Sequence, residues 1–335
     1  HTTFLNDIKI YGQDVQNPLF KENFIGFKYS ILSLKGKNNF LVDKMLKTIS
    51  KSSEKKQLIE THNRPYLIDQ IAKNNDFPIS LFLHNDPQTM KGSRSVKDRE
   101  NILKKCTAIF CVSEYIKNKF LDGILSHNRK VHVLHNGVDR KITQFPKKKK
   151  EILFVGRLVA EKGVELYVNV AKTISCNHPD WNFGLIGSFR LGDDKNTSNY
   201  ANRVIKKFNK IGSRAKFYGF KDQDFVEQKM KSASIIIIPS LWQEPFGLVA
   251  AEAMSNGVGI IASKVGGIPE VVQDNGILIE DINTKSLEKN LIELINNDKL
   301  RENYQIKAWK NFKFSADISS KKLDGFRKII SQNYY

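Results

Sequence analysis

Short apolar runs of strand length alternate with longer amphipathic runs along this chain, and after Lys150 the alternation starts again. In the first half "QLIETH" precedes "RPYLIDQIAK", "ISLFLHND" precedes "SVKDRENILKKC", and "AIFCVS" precedes "EYIKNKFLDGIL". In the second half "EILFVGRL" precedes "GVELYVNVAKTI", "AKFYGF" precedes "DFVEQKMKSA", and "SIIIIPS" precedes "FGLVAAEAM". Strand, helix, strand in repetition predicts parallel sheets with helices on both faces. Two such series in 335 residues predict two doubly wound, Rossmann-like α/β domains, each large enough for its own core. The basic, proline-containing hinge at 144–150 divides them, giving domains at 1–146 and 147–310, with a C-terminal helix at 311–335. Folds of this kind place ligands beyond the carboxyl ends of their strands, here in a cleft between the domains, so the strand ends are where site residues belong.

One such end is "FVGRLVAEKG". Gly156 permits a tight turn after the strand, and Arg157 and Lys162 follow it at a spacing of five. Two cations in one strand-to-helix loop either form a solvated surface or receive a phosphate or diphosphate. A second end is "IIIIPSLWQEPFGLVAAEAMSNG". Pro245 falls near a first helical turn. Amides at Phe246, Gly247 and Leu248 then face outward as a ready anion site. Glu252 lies inside this helix between Ala251 and Ala253. A helix apolar all round is buried, and a buried carboxylate needs partners to keep its charge. Either a protein cation such as Arg157 or Lys162 supplies them, or the hydroxyls of a ligand do. A nucleotide-diphosphate sugar meets all these demands together, with its diphosphate on the cations and amides and its two sugars on Glu252 and Glu244.

Charge and cysteine content narrow the classes further. The net charge of +19 favours phosphate groups, an anionic membrane surface or nucleic acid. No aromatic RNA motif, zinc-finger spacing or helix-turn-helix pattern accompanies it, so we expect no nucleic-acid partner. The densest run, Lys147 to Lys150, reads as a solvated linker. Cys106, Cys111 and Cys176 are odd in number and lack metal-site spacing, so all three read as small core residues of a cytoplasmic protein. No run of about 20 apolar residues is present to span a membrane. Two motifs are set aside. Asp222-Gln223-Asp224 spells a metal-binding D-x-D, but it sits where a helix starts and reads as capping. "GVGIIA" at Gly257 matches a dinucleotide fingerprint, but it runs into a strand instead of following one.

The stretches "GRLVAEKG", "PSLWQEPFGLVAAEAMSNG", "GIIASKVGGIPEVV" and "LHNGVD" together resemble the retaining glycosyltransferases of group 1, also called family 4, with the GT-B architecture. Glu244 and Glu252 correspond to that family's E-x7-E element. The resemblance implies that Glu244 binds hydroxyls of the transferred sugar and Glu252 those of the ribose. It implies that Arg157 and Lys162 neutralise the departing diphosphate with help from the amides of Phe246, Gly247 and Leu248, so that neither metal nor other cofactor is needed. It further implies that His84, at the end of "ISLFLH", contacts the donor sugar, unless it is merely hydrogen-bonded in its loop. His62 and Arg64 would face the acceptor, Phe220 would lie near the nucleotide base, and the last helix would cross back to the first domain.

The family usually opens with a strand and a glycine-rich loop. The sequence begins at His1, not Met, and "HTTFLNDIKI" reads as the second strand, so we expect that first unit to be missing. Residues 1–146 carry 24 Lys and Arg against 14 Asp and Glu. With the resemblance, this charge implies an enzyme resting on the anionic inner face of a membrane. Its acceptor would be a glycan or lipid-linked sugar, in polysaccharide or lipopolysaccharide synthesis. The alternatives are a nucleotide-sugar epimerase or sugar phosphorylase of the same fold, or a non-catalytic basic protein that binds nucleic acid or membrane.

Overall fold

The structure, a computed structural model, describes residues 8–14, 21–28, 36–52, 56–125, 129–189 and 198–334. It divides into two compact units. The first joins residues 1–135 to 317–335, and the second runs from Asn136 to Ala316.

The first unit contains β1 (Ile10–Gln13), β2 (Phe24–Phe27), α1 (Lys37–Ile49), β3 (Ile59–His62), α2 (Ile68–Lys73), β4 (Ile79–Leu83), α3 (Val96–Lys105), β5 (Ala108–Cys111), α4 (Glu114–Leu121) and β6 (Val131–Val133). Strands β3, β4, β5 and β6 form a parallel sheet in chain order, while β1 and β2 pair in parallel by themselves. Of the expected opening strand at 1–10, residues 1–7 lie outside the described residues. Strand β4 is buried along its whole length, which is why it reads as an uninterrupted apolar run. Helices start where side chains close their ends: Ser95 and Asp98 form a reciprocal capping box on α3, and Ser113 accepts from the Ile116 amide on α4.

The second unit contains β7 (Lys149–Val155), α5 (Val164–Asn177), β8 (Asn182–Ile186), α6 (Asn199–Asn209), β9 (Ala215–Gly219), α7 (Gln223–Ser232), β10 (Ala233–Ile238), α8 (Leu248–Ser255), β11 (Gly259–Ser263), α9 (Ile268–Val272), β12 (Ile277–Ile279), α10 (Thr284–Asn296) and α11 (Asp298–Lys310). Its six parallel strands lie in the order β12-β11-β10-β7-β8-β9. The chain therefore winds outward from β7 to one edge, then returns to β10 and winds to the other. That is the doubly wound nucleotide-binding order, with its switch point between β7 and β10. Apolar positions on α5 recur as Val164, Tyr167, Val168, Ala171 and Ile174, and all are buried. The Tyr167 hydroxyl donates to the carbonyls of Ile152 and Gly184 at 3.0 and 2.9 Å, so the one polar atom of that stripe is satisfied.

A last helix, α12 (Ala316–Tyr334), packs on the β3–β6 sheet. Phe326 meets Phe110 edge-on at 5.1 Å, and Arg327 reaches both oxygens of Glu60 at 2.9 and 2.6 Å.

Four sequence expectations change here. The C-terminal helix expected at 311–335 starts at Ala316, because residues 311–315 are held out of it: Phe314 is buried against Phe246 and the Val138 amide donates to the Phe314 carbonyl at 2.8 Å. That contact also goes with residues 136–146, expected in the first domain, lying in the second unit, where the Arg140 guanidinium stacks 4.0 Å from the Trp309 ring. Cys176 is exposed on the last turn of α5, while Cys106 and Cys111 are buried. Lys148 is not a solvated linker residue. Its Nζ donates to the carbonyls of Asn256, Lys231 and Met230 at 2.7, 3.1 and 3.2 Å, tying down the C-terminal ends of α7 and α8.

Candidate functional site

The loops leaving β7 and β10 are locked together at the switch point. The Leu241 amide donates to the Glu161 carbonyl at 2.8 Å. Gly163 caps α5 at φ +66°, and a Cβ there would lie 1.8 Å from the Pro239 carbonyl oxygen. Only glycine permits both that conformation and that approach. The contact sets Lys162 against the loop 240–244. Its Nζ lies 2.5 Å from Glu244 Oε1, which also accepts from the Ser240 hydroxyl at 2.8 Å. From the other side, Gly266 at φ +56° packs so closely that a Cβ would meet the Glu244 carbonyl at 2.1 Å, and the Gly267 amide donates to that carbonyl at 2.7 Å. Glu244 is thus held by side chain and backbone together. Trp242 sits beside it, its ring centroid 5.0 Å from Lys162 Nζ, with its buried indole N–H taking no partner among the described residues.

Helix α8 begins at Leu248, with Gly247 as its N-cap. The amides of Leu248 and Val249 have no acceptor among the described residues. A cavity of about 140 Å³ opens at this point, lined by Gly156, Lys162, Ser240, Glu244, Gly247 and Leu248. Phe246 stands one residue ahead of the cap, with its ring buried against Phe314. Arg157 is half-exposed and bridges to Glu161 at 2.6 Å.

A second cavity, of about 240 Å³, shares the Leu248 wall. Glu252 lines it, flanked in sequence by the fully buried Ala251 and Ala253. No cation pairs with Glu252 among the described residues, neither Arg157 nor Lys162. Its Oε1 accepts from Gln223 Nε2 at 2.9 Å. Desolvation pushes its carboxyl above the usual range, and the Gln223 hydrogen bond pulls it back. Across the cavity Lys141 bridges Asp224 at 2.6 Å and Glu227 at 3.0 Å, and those hydrogen bonds push its ammonium upward. Asp222 caps α7 by accepting from the Phe225 amide at 2.9 Å. Phe220 follows β9, is partly exposed and lines neither cavity.

In the first unit, His62 ends β3 and His84 follows β4, so their rings meet at the carboxyl edge of the sheet. His62 Nδ1 and His84 Nε2 are 3.0 Å apart, and the His62 ring stacks on Phe82 at 4.3 Å. The His62 ring is pushed down to about 4, by desolvation first, then by His84 and by Arg327. The residue keeps an exposed edge, so the desolvation arises at the face seated against Phe82. Arg64 is exposed and donates to the Asn63 carbonyl at 3.0 Å.

Sequence reasoning missed Gln223, Lys141 and Lys148. Gln223 was hidden between two acids whose capping role explained the motif. Lys148 was one of four consecutive lysines with nothing to single it out.

Comparison with known proteins agrees with this geometry. The protein is 38% identical over 196 residues to an uncharacterized glycosyltransferase of Methanocaldococcus jannaschii, covering 58% of this chain and 51% of that one. It therefore spans about half of that relative's length. It is 28% identical over 272 residues to spore coat protein SA of Bacillus subtilis, covering 73% and 70%. Its fold matches that of HepE from Anabaena, solved with UDP and glucose, with TM-score 0.72 and 19% identity over 92% of this chain and 87% of that one. The family model for glycosyl transferases group 1 matches residues 135–311, more than half of the chain and all of both cavities. This chain belongs to the group 1 glycosyl transferases.

Proposed function

We propose that the protein transfers a sugar from a nucleotide-diphosphate sugar to a glycan or lipid-linked acceptor, with retention of configuration and without a metal. The observation that carries this reading is Glu252. It is a carboxylate in an apolar helix, free of any cationic partner among the described residues, at the wall of a cavity that joins the start of the same helix. Ribose hydroxyls supply the donors it lacks. From there the diphosphate reaches the Leu248 and Val249 amides, Lys162 and Arg157. Charge grows on the diphosphate as the sugar bond breaks, so fixed donors in this position lower the barrier. Glu244, held by Lys162, Ser240 and Gly267, receives hydroxyls of the transferred sugar. Lys162 then serves two anions, orienting one and neutralising the other. His84, paired with His62, contacts the sugar on the strength of the resemblance, and Arg64 with His62 meets the acceptor.

HepE, of the same fold, was solved with UDP and glucose, which favours a uridine donor here. The basic first 146 residues favour an acceptor at an anionic membrane surface, in polysaccharide or lipopolysaccharide synthesis at its cytoplasmic face. No helix among the described residues is long and apolar enough to cross a membrane. The test is a panel of UDP- and GDP-sugars with EDTA present, and NMR of the product's anomeric proton. Transfer with the donor's own anomeric configuration supports the reading. Activity only with added metal, or an inverted product, refutes it. Flotation with liposomes that shows no preference for anionic lipid removes the membrane part alone.

A further inference from the structure

Glu252 has one neighbour that the family reading leaves without a role. Gln223 is the first residue of α7, held there because Asp222 caps the helix. Its side chain and Glu252 line the same cavity, and Gln223 Nε2 lies 2.9 Å from Glu252 Oε1. An ionised carboxylate only accepts hydrogen bonds, so the amide must present its nitrogen to Glu252. Oε2 of Glu252 takes no hydrogen bond among the described residues.

Resting on the reading of Glu252 as the ribose carboxylate, we propose that Gln223 is a positioning residue for it: its amide occupies Oε1 and turns Oε2 to the ribose. The surrounding charges leave this task to Gln223. Lys141 faces the cavity but is committed to Asp224 and Glu227. Asp139 on the same wall is an acid, and Glu227 is already bridged by Lys141 and Lys231. The Lys148 ammonium sits at the far end of α8, on the Asn256 carbonyl. Burial already favours protonation of Glu252, and the Gln223 hydrogen bond opposes it. Without that bond, Glu252 takes up its proton at higher pH, and a protonated carboxyl accepts ribose hydroxyls poorly.

The experiment is calorimetry of UDP and GDP binding to the full chain from pH 5.5 to 8.5. It compares wild type with Gln223→Met, which keeps length and volume, and with Glu252→Gln. Gln223→Met is expected to bind a few-fold more weakly than wild type at pH 8.5, because Oε2 is no longer aimed at the ribose. The loss should deepen toward the acid end, because Glu252 without that hydrogen bond takes up its proton at higher pH. An equal loss at every pH, or no loss at any, overturns the proposal while the ribose reading stands. Glu252→Gln binding as tightly as wild type throughout overturns the ribose reading itself, whatever Gln223 does.

Discussion

Lys148 offers the sharpest test of how the second unit holds its site, because its role was invisible in the tetralysine run. Replacing it with methionine keeps most of the stem and removes the ammonium. The carbonyls of Met230, Lys231 and Asn256 then lose their side-chain donor. A hydrogen bond contributes roughly 0.5–1.5 kcal/mol net, and a buried carbonyl left unpaired costs about 1–3 kcal/mol. The net loss is about 2–3 kcal/mol, most of it from orphaned helix-end carbonyls. At roughly 2–4 °C per kcal/mol for a unit of this size, Tm falls by about 4–12 °C. The effect also has a pH signature. Desolvation lowers the folded lysine from 10.5 to about 7. Between those values the unfolded chain binds the proton more tightly, so the stability this group contributes rises with pH. Calorimetric scans should show the gap between wild type and Lys148→Met widening from pH 7 to pH 9. An unchanged or raised Tm, or a gap that narrows as pH rises, contradicts the assignment.

Three further outcomes follow from the switch-point geometry. Lys162→Met should lower kcat by about 10²–10³ while weakening UDP binding far less, since its charge matters most as the diphosphate departs. Arg157→Ala should lose less, being half-exposed and paired with Glu161, and equal losses in kcat and affinity for both would show mere anchoring. Gly163→Ala puts a methyl 1.8 Å from the Pro239 carbonyl at a left-handed φ. The chain must shift there, so thermal scans should show a drop of several degrees, corresponding to about 1–3 kcal/mol of strain; a Tm equal to wild type would mean the two loops are not in contact.

Much of the fold was legible because parallel strands buried on both faces read as apolar runs, as "IIIIPS" does for β10. The loop residues Arg157, Lys162 and Glu244 could be grouped because strand ends converge in such sheets. Which cation met which acid could not. The order of strands, and the Gly163 and Gly266 contacts that follow from it, bring Lys162 to Glu244 instead of Glu252. The break before α12 was masked because residues 311–315 carry no proline or glycine, and tertiary packing of Phe314 overrides local helix preference there. Cys176 shows the reverse error: a residue type that is usually buried stays exposed on the outer face of an amphipathic helix.

The account rests on Glu252 binding the ribose of the donor. Calorimetry with UDP and its 2′,3′-dideoxy analogue, on wild type and Glu252→Ala, measures that contact from both sides. Removing either the carboxylate or the hydroxyls should weaken binding by about 10- to 100-fold, as expected for hydrogen bonds to a charged group. Removing both should cost little more than removing one. Losses that add in full would show that the two groups never meet, and the site would have to be reassigned.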